Sequence, residues 1–231
     1  MALQAPDGSA VALPDLREEY RADPLEEGCA PGDPMELFQT WLADATRAGL
    51  QDPNAMCLAT ATPEGRPSSR FVLLKGCDAD GGFVFYTNYG SRKARELEAN
   101  PFAAATFWWA PLHRSVRVEG AVARVSAAES DTYYASRPRG SRLGAWVSDQ
   151  SQPVAGRDAM DAKQQEVEAR FGADDAAGDV PRPPHWGGYR VVPDRIEFWG
   201  GRPSRLHDRL VYTRSSEGGG NGGWTMQRLQ P

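Results

Sequence analysis

The chain has 231 residues, enough for one sizeable core or two small ones, and its 40% hydrophobic content with seven Trp, seven Tyr and eight Phe can fill a core. A net charge of −5 argues against a general nucleic-acid binder, and no apolar run approaches the roughly 20 residues of a membrane span. Cys29, Cys57 and Cys77 are odd in number and widely spaced, and His113, His185 and His207 are scattered, so neither a disulfide framework nor a metal site is expected.

The N-terminus MALQAPDGSA lacks the basic-then-apolar order of a secretory signal, so the expected location is the cytoplasm. Of the 26 basic residues only Lys75, Lys93 and Lys163 are lysines. Two of them, Lys75 and Lys93, fall in segments that suit an anion, where a compact ammonium and a planar guanidinium are not interchangeable.

Residues 1–32 are rich in Pro, Gly and acids and read as a tail with one short helical stretch, Leu16 to Tyr20; residues 33–231 are expected to form a single domain. Asp33-Pro34 is an N-cap followed by proline at the first helical position. Phe38, Trp41, Leu42 and Ala45 then recur at helical spacing until Gly49. From Asn54 the period changes to two: NAMCLATAT, the turn PEGR, PSSRFVLLK, CDADGG, FVFYTN and, after a helix, FAAATFWWA, PLHR and SVRVEGAVARV. These are expected as a five-stranded meander. The interposed helix starts at the N-cap Ser91 and ends at Asn100-Pro101.

A further helix opens on Ser126 and Glu129 in capping-box spacing and breaks near Pro138; another covers Asp158 to Phe171. β-like runs follow at WGGYRVV, RIEFWG, RLHDRLVYT and WTMQRL, with loops expected at residues 173–184 and 215–223. Many short antiparallel strands with a few helices indicate an α+β class, and closing the sheet into a barrel would remove its edges.

Several segments could carry chemistry. In Tyr86-Thr87-Asn88-Tyr89-Gly90-Ser91-Arg92-Lys93 a strand ends and Ser-Arg-Lys opens a helix whose free N–H groups and dipole suit a phosphate; standing alone, the segment reads slightly better as an ordinary capped helix with two solvated cations. Arg70 interrupts an apolar strand that Lys75 ends, and alternation sets the two on opposite faces. A charge among Val and Leu needs a bound anion or a buried carboxylate. Tyr133 and Arg137 share a helix face with Ser141 close behind, a set that could grip a phosphate or lie on a solvated helix end. In Arg205-Leu206-His207-Asp208-Arg209, an extended chain would put Arg205, His207 and Arg209 on one face, which favours an anionic ligand against them. Gly218, Gly220 and Gly223 fit GxGxxG, but no strand delivers them to a helix, so the dinucleotide reading fails on context.

Taken together, LREEY, NAMCLAT, SSRFVLLKG, YTNYGSRKARELEANPFA, VRVEG, YYASRPRGSRLGAWVSDQSQ, HWGGYRV, IEFWGGRPSRLHDRL and RLQP closely resemble the pyridoxamine 5'-phosphate oxidase family from about Leu16 to Pro231. The resemblance implies an antiparallel FMN-binding split β-barrel with flanking helices and a homodimer with FMN at the subunit interface. It also implies oxidation of pyridoxamine or pyridoxine 5'-phosphate by O2 to pyridoxal 5'-phosphate, with H2O2 released and ammonia from the amine. Neither a nucleic acid nor a membrane is implied as a partner.

Residue by residue, it implies that Arg70, Phe71, Val72 and Leu73 line the flavin with Tyr86 and Thr87 beside it, and that Arg92 and Lys93 hold the FMN phosphate. Gln150, Ser151, Trp199 and Arg209 complete that site. Lys75, Tyr133, Arg137 and Ser141 fall around the substrate phosphate, Arg205 and His207 at the pyridine ring as the catalytic pair, and Arg17 and Tyr20 in a segment that closes over the site. Two positions depart from the family. Ser115 stands where Gln usually contacts FMN, and a hydroxyl cannot span the same distance. Arg142 stands where Gln is common, adding a cation near the proposed substrate phosphate. Rival readings are another flavin enzyme on the same barrel, such as a reductase using a nicotinamide or deazaflavin donor, a non-catalytic FMN or pyridoxal phosphate module, and a single-strand nucleic-acid binder. The co-occurrence of the Tyr133, Arg137 and Ser141 set with RLHDR weighs against all three.

Overall fold

The computed structural model describes residues 2–4, 10–12, 16, 18–77, 82–172, 178–215 and 223–231. Near the N-terminus β1 (Ala2–Gln4) and β2 (Ala10–Ala12) pair antiparallel, an element not expected in the tail. Leu16 and Glu18 to Tyr20 are not helical, contrary to expectation. Just beyond it the chain bonds to the end of the long strand ending at Gly200, Ala22 N–H donating to Gly201 O at 2.8 Å.

Helix α1 (Pro34–Arg47) is the helix the sequence describes, with Asp33 capping Met35 N–H and Pro34 at the first position. The main sheet holds β3 (Ala55–Ala61), β4 (Pro67–Leu73), β5 (Gly76–Cys77) and β6 (Phe83–Asn88), then, after α2 (Arg92–Ala99), β7 (Phe102–Trp109) and β8 (Arg114–Arg124). Helices α3 (Ala127–Ala135), α4 (Arg139–Val147) and α5 (Arg157–Phe171) precede β9 (Trp186–Gly200), β10 (Asp208–Arg214) and β11 (Trp224–Arg228). The order β4-β3-β7-β8-β9-β10-β11 is antiparallel throughout, and β6 pairs with β5 and β9. The expected five-stranded meander is therefore corrected: β6 pairs with the short β5 and with β9, about a hundred residues downstream, rather than with β4 or β7, and α2 carries the chain back to β7 beside β3.

Two expected runs, WGGYRVV and RIEFWG, are one 15-residue strand. β8 runs along one side of it, while the other side is shared: β6 pairs with Trp186 to Val191 and β10 with Arg195 to Gly200. Pro193 lies between the two arms and pairs with Gly120 of β8, at an irregularity where a proline is tolerated. Opposite it, β8 shifts register at Glu119/Gly120, and a side chain at Gly120 would meet Val192 O at 2.1 Å. This forked strand makes the barrel split, in the α+β arrangement expected.

The inner face packs on α1. Phe38 lies 4.8 Å from Phe83 and 5.0 Å from Phe107, and Trp41 meets Phe198 edge-on at 5.3 Å. Burying a ring such as Phe38 is worth ~1.5–3 kcal/mol. Period-two alternation sends the other side chains outward, and Phe71 and Trp108 remain 77% and 50% exposed there. Among the described residues no helix is long and apolar enough to cross a membrane.

Helix α4 is absent from the sequence expectations, because Gly140 and Gly144 interrupt it and Pro138, at the N-cap, supplies no capping side chain. Tertiary contacts hold it instead. Buried Arg139 donates to the carbonyls of Phe171 and Gly172, closing the end of α5, and to Gly178 O. The expected loops at 173–184 and 215–223 lie partly outside the described residues, as do Gly218 and Gly220; residues 178–183 have no regular structure.

Candidate functional site

A cavity of about 450 Å³ opens between the outer side of β4, the end of β6, α2 and the α3–α4 corner. It gathers most of the residues singled out in the sequence: Phe71, Val72, Leu73, Lys75, Tyr86, Thr87, Lys93, Tyr133, Arg137, Ser141 and Gln150. No carboxylate is among the lining residues.

Lys93 is 8% exposed, in the first turn of α2 behind the Ser91 cap. Its ammonium donates to Gln150 Oε1 at 2.7 Å and Thr87 Oγ1 at 3.1 Å, both neutral partners. Burial, with some repulsion from Arg70, pushes it down to about 8 from the ordinary 10.5. Across the cavity Arg137 lies over the Trp186 ring at 4.6 Å, and its Nη1 is buried with no hydrogen-bond partner among the described residues. Tyr86, Tyr133 and Trp186 lie nearly parallel in one cluster, Tyr86 4.0 Å from Tyr133 and 5.5 Å from Trp186 and the latter two 6.2 Å apart, which fixes that wall. Two desolvated cations facing one space, with nothing negative lining it, call for an anion. A phosphate-bearing cofactor and a phosphate-bearing substrate both fit such a donor set.

Arg70 resolves the choice the sequence left open, because a buried carboxylate meets it. Glu96 is 6% exposed and accepts from Thr60 at 2.5 Å, Ser68 at 2.6 Å and Arg92 Nε at 2.8 Å, with Arg70 Nη2 at 3.4 Å. Burial opposes its charge, but these hydrogen bonds outweigh it and hold the carboxyl at about 2. Arg70 also bonds Thr60 at 2.5 Å and Ser68. Arg70 and Arg92 are thus held from behind by one glutamate.

The remaining expected residues lie elsewhere. Ser115, Tyr20 and Trp199 line a second cavity of about 400 Å³ with Thr106, Trp108, Arg117 and Glu197. Arg205 and His207 line a third, of about 590 Å³, together with Tyr20, Arg202 and Ser204. Tyr20 joins these two, its ring 5.5 Å from Trp199 and 5.7 Å from His207. Within one chain the expected residues therefore divide into a cationic cavity and a Tyr20-centred group. Arg17 lies outside the described residues.

The extended reading of RLHDR is corrected. Pro203 to Arg205 form a 3-10 turn, with φ of 57° at Ser204 and 63° at Arg205, and β10 begins only at Asp208. The turn lets His207 Nδ1 accept from Arg202 N–H at 3.1 Å, so the three side chains do not share a strand face. Burial, and then Arg205, lowers the His207 pKa. Arg209 turns to Glu197, at 2.8 Å from both Nε and Nη2, and to Gln230 O at 3.0 Å. Ser151 has φ of 68° and faces a neighbouring cavity bounded by residues 148–155 and α5, sharing only Gln150 with the cationic one. Ser115 donates to Phe107 O at 2.9 Å across the ladder rather than into its cavity. Arg142 does not add a cation to the phosphate region: it pairs with Asp179 at 2.6 Å.

Trp186, Glu96, Glu197 and His113 were not singled out as site residues by sequence. Glu96 had a signal in its four-residue spacing from Arg92, and Glu197 in being an acid inside an apolar strand. Among the described residues no group of three or more His, Cys, Asp or Glu is placed to hold a metal.

Comparison with known proteins bears on this arrangement. A family model described as pyridoxamine 5'-phosphate oxidase matches residues 42–171, and one described as the pyridoxine 5'-phosphate oxidase C-terminal dimerisation region matches residues 186–231. A pyridoxine/pyridoxamine 5'-phosphate oxidase of Rubrobacter xylanophilus is 55% identical over 98% of this chain and 100% of its own length. One of Paraburkholderia xenovorans is 52% identical over 96% and 100%. Among solved structures, PhzG from Burkholderia lata, in complex with tetrahydrophenazine-1-carboxylic acid, superposes with a TM-score of 0.81 at 32% identity, covering 91% of this chain and 99% of that one. A pyridoxamine 5'-phosphate oxidase-related FMN-binding protein of Nostoc punctiforme, 17% identical, shares the fold at a TM-score of 0.66 over 84% and 97%.

Proposed function

This chain belongs to the pyridoxamine 5'-phosphate oxidase family, and from that premise we propose that it is an FMN-dependent oxidase making pyridoxal 5'-phosphate from pyridoxamine or pyridoxine 5'-phosphate. The observation that carries this reading is the cavity that the buried Lys93 and the half-buried Arg137, with its buried and unpartnered Nη1, line without a carboxylate. In this reading Arg92 and Lys93 take the FMN phosphate at the start of α2, where backbone N–H groups and dipole add to their charge. Lys75, Tyr133, Arg137 and Ser141 take the substrate phosphate. Arg70, Phe71, Val72, Leu73, Tyr86, Thr87, Ser115, Gln150, Ser151, Trp199 and Arg209 complete the flavin site.

FMN, when bound, supplies the hydride acceptor for the substrate's exocyclic carbon and returns the electrons to O2 as H2O2. The alcohol and O2 give aldehyde and H2O2; the amine, O2 and water give aldehyde, ammonia and H2O2. The chain's own residues position and exclude. The phosphate grips fix the substrate, Arg205 and His207 orient the pyridine ring and stabilise charge that develops on it, and Tyr20 covers the site with Arg17.

A complete site on this reading needs two chains. Lys75 and Arg137 line one cavity and Arg205 and His207 another, and Trp199 to Arg209 fall in the segment that matches a dimerisation region. A homodimer brings the cationic cavity of one protomer to the Tyr20-centred group of its partner. Exposed Phe71 and Trp108 on the outer sheet face suit such a contact.

An anaerobic visible spectrum of the FMN-loaded protein, titrated with pyridoxine 5'-phosphate, tests the activity: the flavin bands should bleach and recover on admitting O2. Unbleached flavin, or a protein that stays colourless after FMN addition, rejects the reading. Co-refolding inactive Lys75→Ala and Arg205→Ala chains should restore activity through dimers carrying one intact site; no recovery rejects the shared site.

A further inference from the structure

We propose that His113 is a positioning residue that holds the strap formed by residues 18–23, and with it Tyr20, over the cavity lined by Arg205 and His207. The inference deepens the proposed function by giving Tyr20 a support, and rests on that reading only for the consequence in turnover.

The geometry centres on one residue. His113 follows a 3-10 turn after β7 and takes φ of 51°, in the left-handed region. Its Nδ1 accepts the backbone N–H of Arg21 at 2.9 Å. Its carbonyl accepts Gly201 N–H at 2.8 Å, and Gly201 O in turn accepts Ala22 N–H at 2.8 Å. His113 therefore ties the strap and the end of β9 together. The His113 ring also meets the Tyr20 ring edge-on at 5.2 Å, as Trp199 does at 5.5 Å and His207 at 5.7 Å. Gly201 completes the seat, since a side chain there would stand 2.5 Å from Tyr20 Cβ.

Few side chains can do this. The position needs an acceptor at the reach of Nδ1 and tolerance of a positive φ, and only histidine, asparagine and aspartate are common there. An imidazole accepts at Nδ1 only when neutral and protonated at Nε2; a second proton turns the acceptor into a donor facing the Arg21 N–H. The strap is thereby fastened to the neutral ring and loosened by its protonation.

The charged groups around the latch are accounted for. Arg21's guanidinium pairs with Glu19 at 2.6 Å, and Arg114 pairs with Asp44 at 2.7 Å and Asp23 at 3.1 Å. His207, with Arg205 beside it, is the other titratable ring against Tyr20, and it uses its own Nδ1 on Arg202 N–H. A pH response of the strap could thus arise at either histidine, so the test must separate them.

Amide exchange of the peptide spanning residues 18–23, expressed as protection relative to the unstructured rate, does so. It needs neither FMN nor turnover. A failure of the oxidase reading therefore leaves the result standing, and loss of the latch is visible in an active enzyme. The full-length protein is compared with His113→Asn, which keeps an acceptor and tolerates positive φ, and with His113→Phe, which keeps the ring but no acceptor. Measurements at about pH 8 and about pH 5 bracket the charge change of an imidazole. Protection in β8 serves as the internal standard of folding. At the higher pH, protection should be near wild type in the Asn variant and at least tenfold lower in the Phe variant. At the lower pH, the wild type should fall toward the Phe variant while the Asn variant holds. Wild-type protection in His113→Phe, or the same pH response in wild type and His113→Asn, overturns the proposal. The wild-type and Asn comparison decides it even if the Phe variant does not fold.

Discussion

Replacing Lys93 by Met should stabilise the ligand-free protein and weaken FMN binding. The ammonium is pushed down to about 8 from 10.5 by burial and Arg70 repulsion, and at ~1.4 kcal/mol per tenfold the folded chain spends up to ~3 kcal/mol keeping it charged at neutral pH. Removing it leaves little unsatisfied, because Thr87 Oγ1 already donates to Gln150 Oε1 at 2.9 Å. A gain of about 1–3 kcal/mol is therefore expected in denaturant unfolding of apoprotein. The sign with pH follows from the depressed value. Between about 8 and 10.5 the unfolded chain binds the proton that the folded chain has lost, so wild-type stability rises relative to the Met variant and the gap closes toward 10.5. FMN affinity should move the other way. A lost charge-assisted hydrogen bond of ~1.5–3 kcal/mol lowers it ~10- to 150-fold in a fluorescence titration, while riboflavin, which has no phosphate, should change by less than about threefold. Apoprotein that is less stable than wild type, or equal losses for FMN and riboflavin, would refute the reasoning.

Glu96→Ala should cost about 3–5 kcal/mol, since it strands Arg70 among polar groups and frees Arg92. Glu96→Gln should cost less and still weaken FMN binding more than riboflavin binding; parallel losses would make the residue structural only. Because hydrogen bonds hold Glu96 at about 2 in the fold, its contribution is fully present above 4.5 and lost as pH falls from there toward 2. An acid unfolding curve for the Gln variant should therefore lack part of that slope. Ser115→Gln should tighten FMN binding about 2- to 10-fold by placing one amide hydrogen bond in the 400 Å³ cavity, and unchanged affinity would show that this position does not reach the flavin. Arg205→Leu should lower kcat/KM at least tenfold with FMN retained. Arg209→Leu should loosen FMN and destabilise the fold by about 1–3 kcal/mol through the Glu197 carboxylate it leaves, and equal effects of the two on turnover and FMN would undo the division of roles.

What the sequence revealed followed how local the cause was. Asp33-Pro34 and Ser91 announce α1 and α2 because a cap acts within three residues, and β3, β4, β7 and β8 show their two-residue alternation directly. The forked strand β9 was not legible, because its fork depends on which distant strands reach each half. Helix α4 was missed because its stability comes from Arg139, Leu143 and Val147 in tertiary contact rather than from propensity. RLHDR reads as a strand until the turn at Ser204 and Arg205 rotates it, and turns with positive φ at non-glycine residues leave no composition signal. Much of the candidate site was nevertheless present as residue types, and what failed was the expectation that Arg205, His207 and Arg209 lie on one strand face.

The two buried glutamates show which of the cations are held by the protein itself. Glu96 holds Arg70 and Arg92, and Glu197, 5% exposed, holds Arg117 and Arg209. An arginine tied to a buried carboxylate keeps its place with or without a ligand, so it pre-forms a site while contributing little net charge. Lys93 and Arg137 are different, because neutral oxygens or aromatic faces are all that meet them. Their charge is uncompensated until an anion arrives, and their burial makes that anion's binding energetically decisive. By this distinction the ligand-sensing charges belong to α2 and the α3–α4 corner of one cavity, while the RLHDR arginine at 209 belongs to the frame. Salt should separate the two classes: anion binding at the Lys93 cavity should weaken with ionic strength, whereas the ion pairs of Glu96 and Glu197, anchored on buried carboxylates, should keep the apoprotein's stability nearly constant over the same range.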